Sequence, residues 1–300
     1  MRIVAIVLLV LALLCLLGLL ALRCRRNGQG WEKLLGRRYA HRGYHAKPEI
    51  PENSLPAFRR ALERGWGAEL DVHLLRDGTL AVFHDSDLHR CTGAEGAIEE
   101  LDRAALARLR LEGTQEPIPL FSEVLALFAG KAPLIIELKA HGGNHRALTE
   151  AVLRALEGYG GDFCIESFDP RVLMVLRKEA PEILRGQLSA RFRKGEEALH
   201  GWQRFCLGNL LLNFLTVPDF IAYRFEARSA LARRCCVRFW GAREAGWTLR
   251  RREDLERAEA AGCIPIFEQF DPERGDGPRA PGSTGSNRQS VTEEEGSYGN

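Results

Sequence analysis

Three hundred residues, 45% of them hydrophobic, suffice for one large domain or two ordinary ones around a sizeable core, which excludes a chain too polar to fold. The formal net charge is +2, from 42 basic and 40 acidic side chains spread along the chain. Composition therefore offers no basic footprint for nucleic acid or another polyanion.

From Ile3 to Leu22 the chain reads IVAIVLLVLALLCLLGLLAL without a charge, long enough to cross a bilayer as a helix and long for the apolar part of a signal peptide. No small-x-small cleavage site follows, and neither Cys15 nor Cys24 has the small residues before it that a lipobox needs. A retained single-pass anchor over residues 1–26 is expected, rather than a cleaved signal sequence. Arg2 precedes the run, whereas Arg23, Arg25, Arg26, Lys33, Arg37 and Arg38 follow it, and the side richer in cations tends to stay cytoplasmic. Cys91, Cys164, Cys206, Cys235, Cys236 and Cys263 show neither disulfide-like nor zinc-like spacing, in keeping with a reducing compartment. A cytosol-facing domain over residues 27–271 is the expectation.

Beyond the anchor, short runs rich in Val, Ile and Phe alternate with helical patterns, the signature of βα units. The first strand is placed at RRYAHRG, around His41, and a second around 69–72. Between them Ser54 caps a helix with Pro56 in its first turn, apolar spacing through Leu55, Phe58, Ala61 and Leu62, and Gly65 beyond its end. Further strands are placed near 132–140, 162–168, 184–190, 220–226, 244–250 and 263–268. The segments NHRALTEAVLRALEGYG, DPRVLMVLRKEAP and REDLERAEAAG pair apolar with charged faces, as helices do. Eight strands in about 250 residues predict a (β/α)8 TIM-type barrel. Residues 272–300 are poor in apolar side chains and rich in Gly, Ser, Pro and charge, the composition of a disordered tail.

Asp77-Gly78 marks a tight turn between two alternating runs, so AELDVHLLRDGTLAVFHD folds back as a hairpin that sets Asp71 opposite His84. Glu69 and Asp71, two apart, share one face. Similar polar clusters end neighbouring strands: His41-Arg42-Gly43, and Glu137 with Lys139 after LII. Each alone reads as a satisfied polar pair at a sheet edge. Together they place chemistry at the strand ends, where barrel enzymes carry it. The carboxylates Glu69, Asp71 and Glu137 suit one divalent cation, Mg²⁺ or Ca²⁺. His41 and His84 remain for proton transfer, and Arg42 and Lys139 add positive charge suited to a phosphate ester.

In this order of motifs the chain resembles the glycerophosphodiester phosphodiesterase family over roughly residues 38 to 268. The motifs are His41-Arg42-Gly43, Glu52-Asn53-Ser54, Glu69-Leu70-Asp71-Val72, Asp77-Gly78, His84-Asp85, Glu137-Leu138-Lys139 and Ser167-Phe168-Asp169. The resemblance implies a barrel that hydrolyses glycerophosphodiesters to an alcohol and a glycerol phosphate with a divalent cation. It implies that His41 and His84 are the acid and base, in an order left open, that Glu69, Asp71 and Glu137 bind the metal, that Arg42 and Lys139 contact phosphate, and that Glu52 orients its neighbours. In the family's scheme a substrate hydroxyl attacks phosphorus and water opens the resulting cyclic phosphate. Release of that cyclic product, as in related barrel phospholipases, is the lyase alternative.

Departures from the family pattern lie near the C-terminal end, at Leu249-Arg250 and at Ile266-Phe267-Glu268, where Val-Asn and Thr-Asp are frequent. Trp247 is either a wall of the substrate pocket or a core aromatic. The anchor directs the substrate expectation to lipid-like diesters and a lysophospholipase D-like activity, with the apolar stretch GNLLLNFLTVPDFIAY able to receive them, although such a stretch is more often a buried helix and strand. The competing functional class is a membrane-tethered barrel without catalysis that binds phospholipid headgroups or a protein partner; the sequence leaves the oligomeric state open.

Overall fold

The computed structural model describes residues 1–26, 28, 30–192 and 199–273; the predicted tail lies outside these from residue 274 onward. Its strands are β1 (Tyr39–Ala40), β2 (Gly67–Leu74), β3 (Leu80–Val82), β4 (Leu134–Leu138), β5 (Phe163–Ser167), β6 (Arg185–Ser189), β7 (Phe220–Arg224), β8 (Arg243–Leu249) and β9 (Ile264–Phe267). All but β3 pair in parallel, and β1 pairs with both β2 and β9, which closes eight strands into a TIM-type barrel. The ninth strand, β3, pairs antiparallel to β2 outside the barrel.

Helix α1 (Arg2–Ala21) carries no buried residue and has a mean hydropathy of 3.4, long and apolar enough to cross a membrane, a test that a signal sequence also passes. The short α2 (Trp31–Leu34) buries Trp31 and Leu34 against Tyr39 and Phe220 at the barrel's N-terminal end. Helix α3 (Leu55–Glu63) begins as predicted, with Ser54 Oγ accepting from the Ala57 amide at 3.3 Å and Pro56 in the first turn. After β3 come α4 (His89–Thr92) and α5 (Arg103–Leu106), packed around a separate cluster that includes Phe83, Leu88, Ile98 and Leu111. The remaining helices are α6 (Phe121–Phe128), α7 (His145–Leu156), α8 (Pro170–Glu179), α9 (Gly201–Gly208), α10 (Asn213–Thr216), α11 (Leu231–Trp240) and α12 (Arg252–Ala260).

The two-residue period of the strands sorts side chains into two layers. Leu70, Val72, Ile136 and Ile165 face outward and pack beneath the helices with Phe58, Phe121 and Phe128. Ile135, Cys164, Leu188, Phe220, Ala245 and Ile266 fill the interior. Each fully buried aliphatic or aromatic side chain contributes about 1.5–3 kcal/mol, so the interior below the strand ends is a packed core that supports the site above it. The eight cysteines are unpaired, and five are buried.

Candidate active site

Inward-facing positions turn acidic at the C-terminal ends of three adjacent strands. Asp71 of β2 lies in register with Glu137 of β4, which lies in register with Glu166 of β5, and Glu69 sits one inward position below Asp71. All four are buried. Ligand atoms of Glu69, Asp71 and Glu137 lie within 4.8 Å of one another. Lys139, just past β4, places Nζ 3.0 Å from Asp71 Oδ1 and 2.7 Å from Glu137 Oε1.

Burial, together with the neighbouring carboxylates, pushes Glu69 and Glu166 well above the usual carboxylate range. Burial lifts Glu137 to about 7 even against the opposing pull of Lys139. Asp71 stays low because Lys139, His84, Arg42 and the Asn53 amide together outweigh its burial. Thus four buried carboxylates face two cations, Arg42 and Lys139, a strongly acidic constellation. A second acidic group, Glu52, Cys91 and Glu112, is already matched by Lys47 and Arg90.

The two histidines flank this constellation. His41 follows β1, and its Nδ1 lies 2.6 Å from Glu268 Oε2, while its Nε2 lies 3.9 Å from Glu69 Oε2. His84 Nδ1 lies 2.5 Å from Asp85 Oδ1. In both rings a carboxylate accepts from Nδ1–H, which leaves Nε2 as the nitrogen suited to exchanging a proton with a substrate. Burial and nearby cations lower both histidines, His84 the more strongly. Glu268 opposes that shift at His41. Its own burial is outweighed by His41, His45 and Arg250, so it remains ionised.

The His41-Arg42-Gly43 turn has a backbone reason for its composition. Gly43 has φ +78°, and a Cβ there would come 2.9 Å from Ala57, so glycine is required. Arg42 at φ +54° directs its amide to Glu69 Oε2 at 3.0 Å, while its guanidinium donates to Glu52 Oε1 at 2.8 Å. Glu52 is held well below the carboxylate range by Arg42, Arg90 and Lys47 despite burial. Arg90 also donates to Asp85 Oδ2 at 2.5 Å. Asn53 donates from Nδ2 to Asp71 Oδ2 at 2.8 Å.

All nine residues singled out in the sequence lie at this end of the barrel. His41, Arg42, Glu69, His84, Glu137 and Trp247 line one cavity of about 20 Å³, with Phe168 and Leu188 also in its wall, which has room for a single water-sized species. Trp247 packs edge-on against Phe168 at 5.7 Å between ring centroids and belongs to the wall. The hairpin register is shifted by one from expectation: Val72 pairs with Val82, so Asp71 faces Phe83, and His84 reaches the site from just beyond the strand. Past Glu268 a wider cleft of about 900 Å³ is lined by Tyr44, His45, Lys47, Arg250, Arg251 and Phe270.

Sequence reasoning left Glu166, Glu268, Asp85 and Asn53 without roles. Asp85 and Asn53 stand inside recognised motifs beside selected residues, a usable signal. Glu166 carried a weaker one, an acid at the inward phase of an apolar strand. Glu268 was noted only as a departure from pattern.

The sequence profile of the Glycerophosphoryl diester phosphodiesterase family matches residues 41–270. A glycerophosphodiester phosphodiesterase from Caldanaerobacter subterraneus subsp. tengcongensis is 30% identical over 254 residues, covering 78% of this chain and 93% of the relative. A lysophospholipase D from Rattus norvegicus is 30% identical over 141 residues, 43% of either chain. Among solved structures, an Oleispira antarctica phosphodiesterase in complex with the product sn-glycerol-3-phosphate has a TM-score of 0.64 at 22% identity, covering 79% of this chain and 94% of that one, a likeness of fold. Because the profile begins directly after β1 and runs beyond β9, it takes in seven of the eight barrel strands, and the chain belongs to the glycerophosphoryl diester phosphodiesterase family of phosphoric diester hydrolases.

Proposed function

We propose that the chain hydrolyses glycerophosphodiesters to an alcohol and a glycerol phosphate at the barrel mouth, with one Mg²⁺ or Ca²⁺ held by Glu69, Asp71 and Glu137. The donors are carboxylate oxygens, which suit hard cations, and burial beside one another raises Glu69 and Glu137, the repulsion that a divalent ion between them would relieve. When bound, such an ion stabilises negative charge on phosphoryl oxygens. Arg42 and Lys139 hold the phosphate from the protein side, and Glu52 fixes the guanidinium of Arg42. One histidine takes the proton of the attacking hydroxyl and the other returns one to the leaving alkoxide, whether the nucleophile is a substrate hydroxyl or water. Trp247 and Phe168 form the apolar wall against the carbon part of the ester.

The observation that carries this reading is the placement of His41 and His84, each oriented by a carboxylate at Nδ1, around three converging acids. Turnover of glycerophosphocholine with Mg²⁺ or Ca²⁺, before and after chelation, tests it alongside His41→Ala and His84→Ala. Either substitution is expected to lower kcat about 10²–10⁴-fold. Full activity in either variant, or turnover indifferent to chelator, overturns the assignment. Phosphorus NMR of the products separates hydrolysis from release of a cyclic phosphate.

In the same reading α1 is a retained anchor and the barrel faces the cytosol. The anchor, with the likeness to a lysophospholipase D, extends the substrate range to lysophospholipids. Preference for soluble glycerophosphocholine over lysophospholipid vesicles overturns that extension.

A further inference from the structure

Beyond the C-terminal end of α1, six large apolar side chains stand exposed among the described residues: Met174, Trp202, Phe205, Phe214, Leu231 and Phe239. Five of the six lie on three consecutive helices, α9, α10 and α11. Scattered singly, exposed apolar residues need no explanation; gathered on one flank, they mark a contact surface. Helix α9 has no buried residue, and its Trp202 and Phe205, three apart on one face, are 66% and 62% exposed. On α11, Leu231 is 73% exposed and shares its face with Arg234 and Arg238.

The same flank receives the end of the apolar N-terminal helix. Leu22 and Cys24 are buried among Leu210, Ile221, Ala232 and Cys236. Trp240 Nε1 donates to the Leu19 carbonyl at 2.9 Å, and the Arg25 amide donates to the Pro218 carbonyl at 2.9 Å. The span is thus fastened directly to α10, α11 and the start of β7. Residues 199–242 contain six arginines against two acids; Asp219 is buried against Arg25 and Arg233 is paired with Glu244, which leaves five arginines on this stretch. Aromatic rings at a polar–apolar boundary and arginines beside them are the chemistry that anionic bilayer surfaces hold.

We infer that the α9–α11 flank rests on the lipid surface into which α1 inserts, an inference that relies on α1 being a retained anchor. Contact along this flank includes the barrel mouth, because Ser189 and Tyr223, at the mouth ends of β6 and β7, donate from their hydroxyls to the carbonyls of Leu207 and Gly208 of α9 at 2.8 and 2.9 Å. From there Phe192 packs edge-on against Phe168, and Phe168 edge-on against Trp247 in the cavity wall. Amphiphilic diesters therefore reach the site along an aromatic edge without leaving the interface.

The test uses the full chain in phosphatidylcholine–phosphatidylglycerol vesicles carrying brominated acyl chains, with tryptophan emission as readout. Wild type is expected to be quenched, W202F to lose a distinct part of that quenching, and a Phe205→Ser/Leu231→Ser double variant to lose most of that same Trp202 part, with Trp240 beside Leu19 still quenched, while keeping its turnover of soluble glycerophosphocholine. Quenching equal in wild type and variants overturns the inference, as does a flank covered by a second copy, seen as a dimer in detergent that the double variant dissociates. A chain that alkaline carbonate extracts from the vesicles overturns the anchor and the inference together. Lack of turnover with quenching intact instead refutes the proposed activity and leaves the surface standing.

Discussion

Replacing Glu268 with glutamine removes the carboxylate that contacts His41 Nδ1, at 2.6 Å, while preserving shape. Hydrogen bonds to a charged partner contribute about 1.5–3 kcal/mol, and about 1.4 kcal/mol corresponds to tenfold in rate. The expected loss in kcat is thus about 10- to 150-fold for the orientation and charge stabilisation of His41. If the new amide turned its NH₂ toward Nδ1, the tautomer would reverse and the loss would grow toward about 10⁴-fold. The sign of the pH effect follows from the same contacts. Burial and Arg42 lower the His41 pKa whereas Glu268 raises it, so the variant should move the limb of the kcat/KM profile that reports His41 to lower pH. KM should change little, because Glu268 lies behind the ring. Arg250, which donates to the other oxygen of Glu268 at 2.8 Å, supplies a milder control in Arg250→Ala. Steady-state turnover of glycerophosphocholine across pH provides the assay. An E268Q enzyme as fast as its parent, with an unmoved profile, refutes the positioning role.

Asn53→Gly keeps the backbone at φ +52° without strain but deletes the donor to Asp71 Oδ2. Apparent affinity for Mg²⁺, read from the metal dependence of turnover, should weaken about 10–100-fold; an unchanged metal dependence counts against the metal assignment. Gly186→Ala sets a Cβ 2.2 Å from the Phe220 ring inside the barrel and should cost about 1–3 kcal/mol. Calorimetry would show this as a lowered Tm, and an unaltered Tm would mean that the interior is looser than described.

His41, Glu69, Asp71, His84, Glu137 and Lys139 were legible because each is an anomaly of a local pattern. A charged side chain at the inward phase of an apolar strand stands out within a few residues of chain, and Asp77-Gly78 announces the hairpin that carries His84. Even there the register was off by one, since a turn signal does not determine which residue of the loop begins the ladder. Glu268 carried no such local mark. It lies 227 residues from His41 in sequence, and the pair exists only because β9 returns beside β1 to close the barrel.

The chain's own pattern determined the barrel, the end at which chemistry sits, and most of the groups that can carry it. Alternation with period two and helix capping are properties of neighbouring residues, readable without knowing where the chain goes next. Tertiary structure alone decided that Glu166 joins the acids, that Glu268 sets the His41 tautomer, and that exposed aromatics of three helices share a flank with the end of the apolar span. Those facts depend on which strands become neighbours after closure and on which surfaces remain uncovered, and no local window of sequence contains that information.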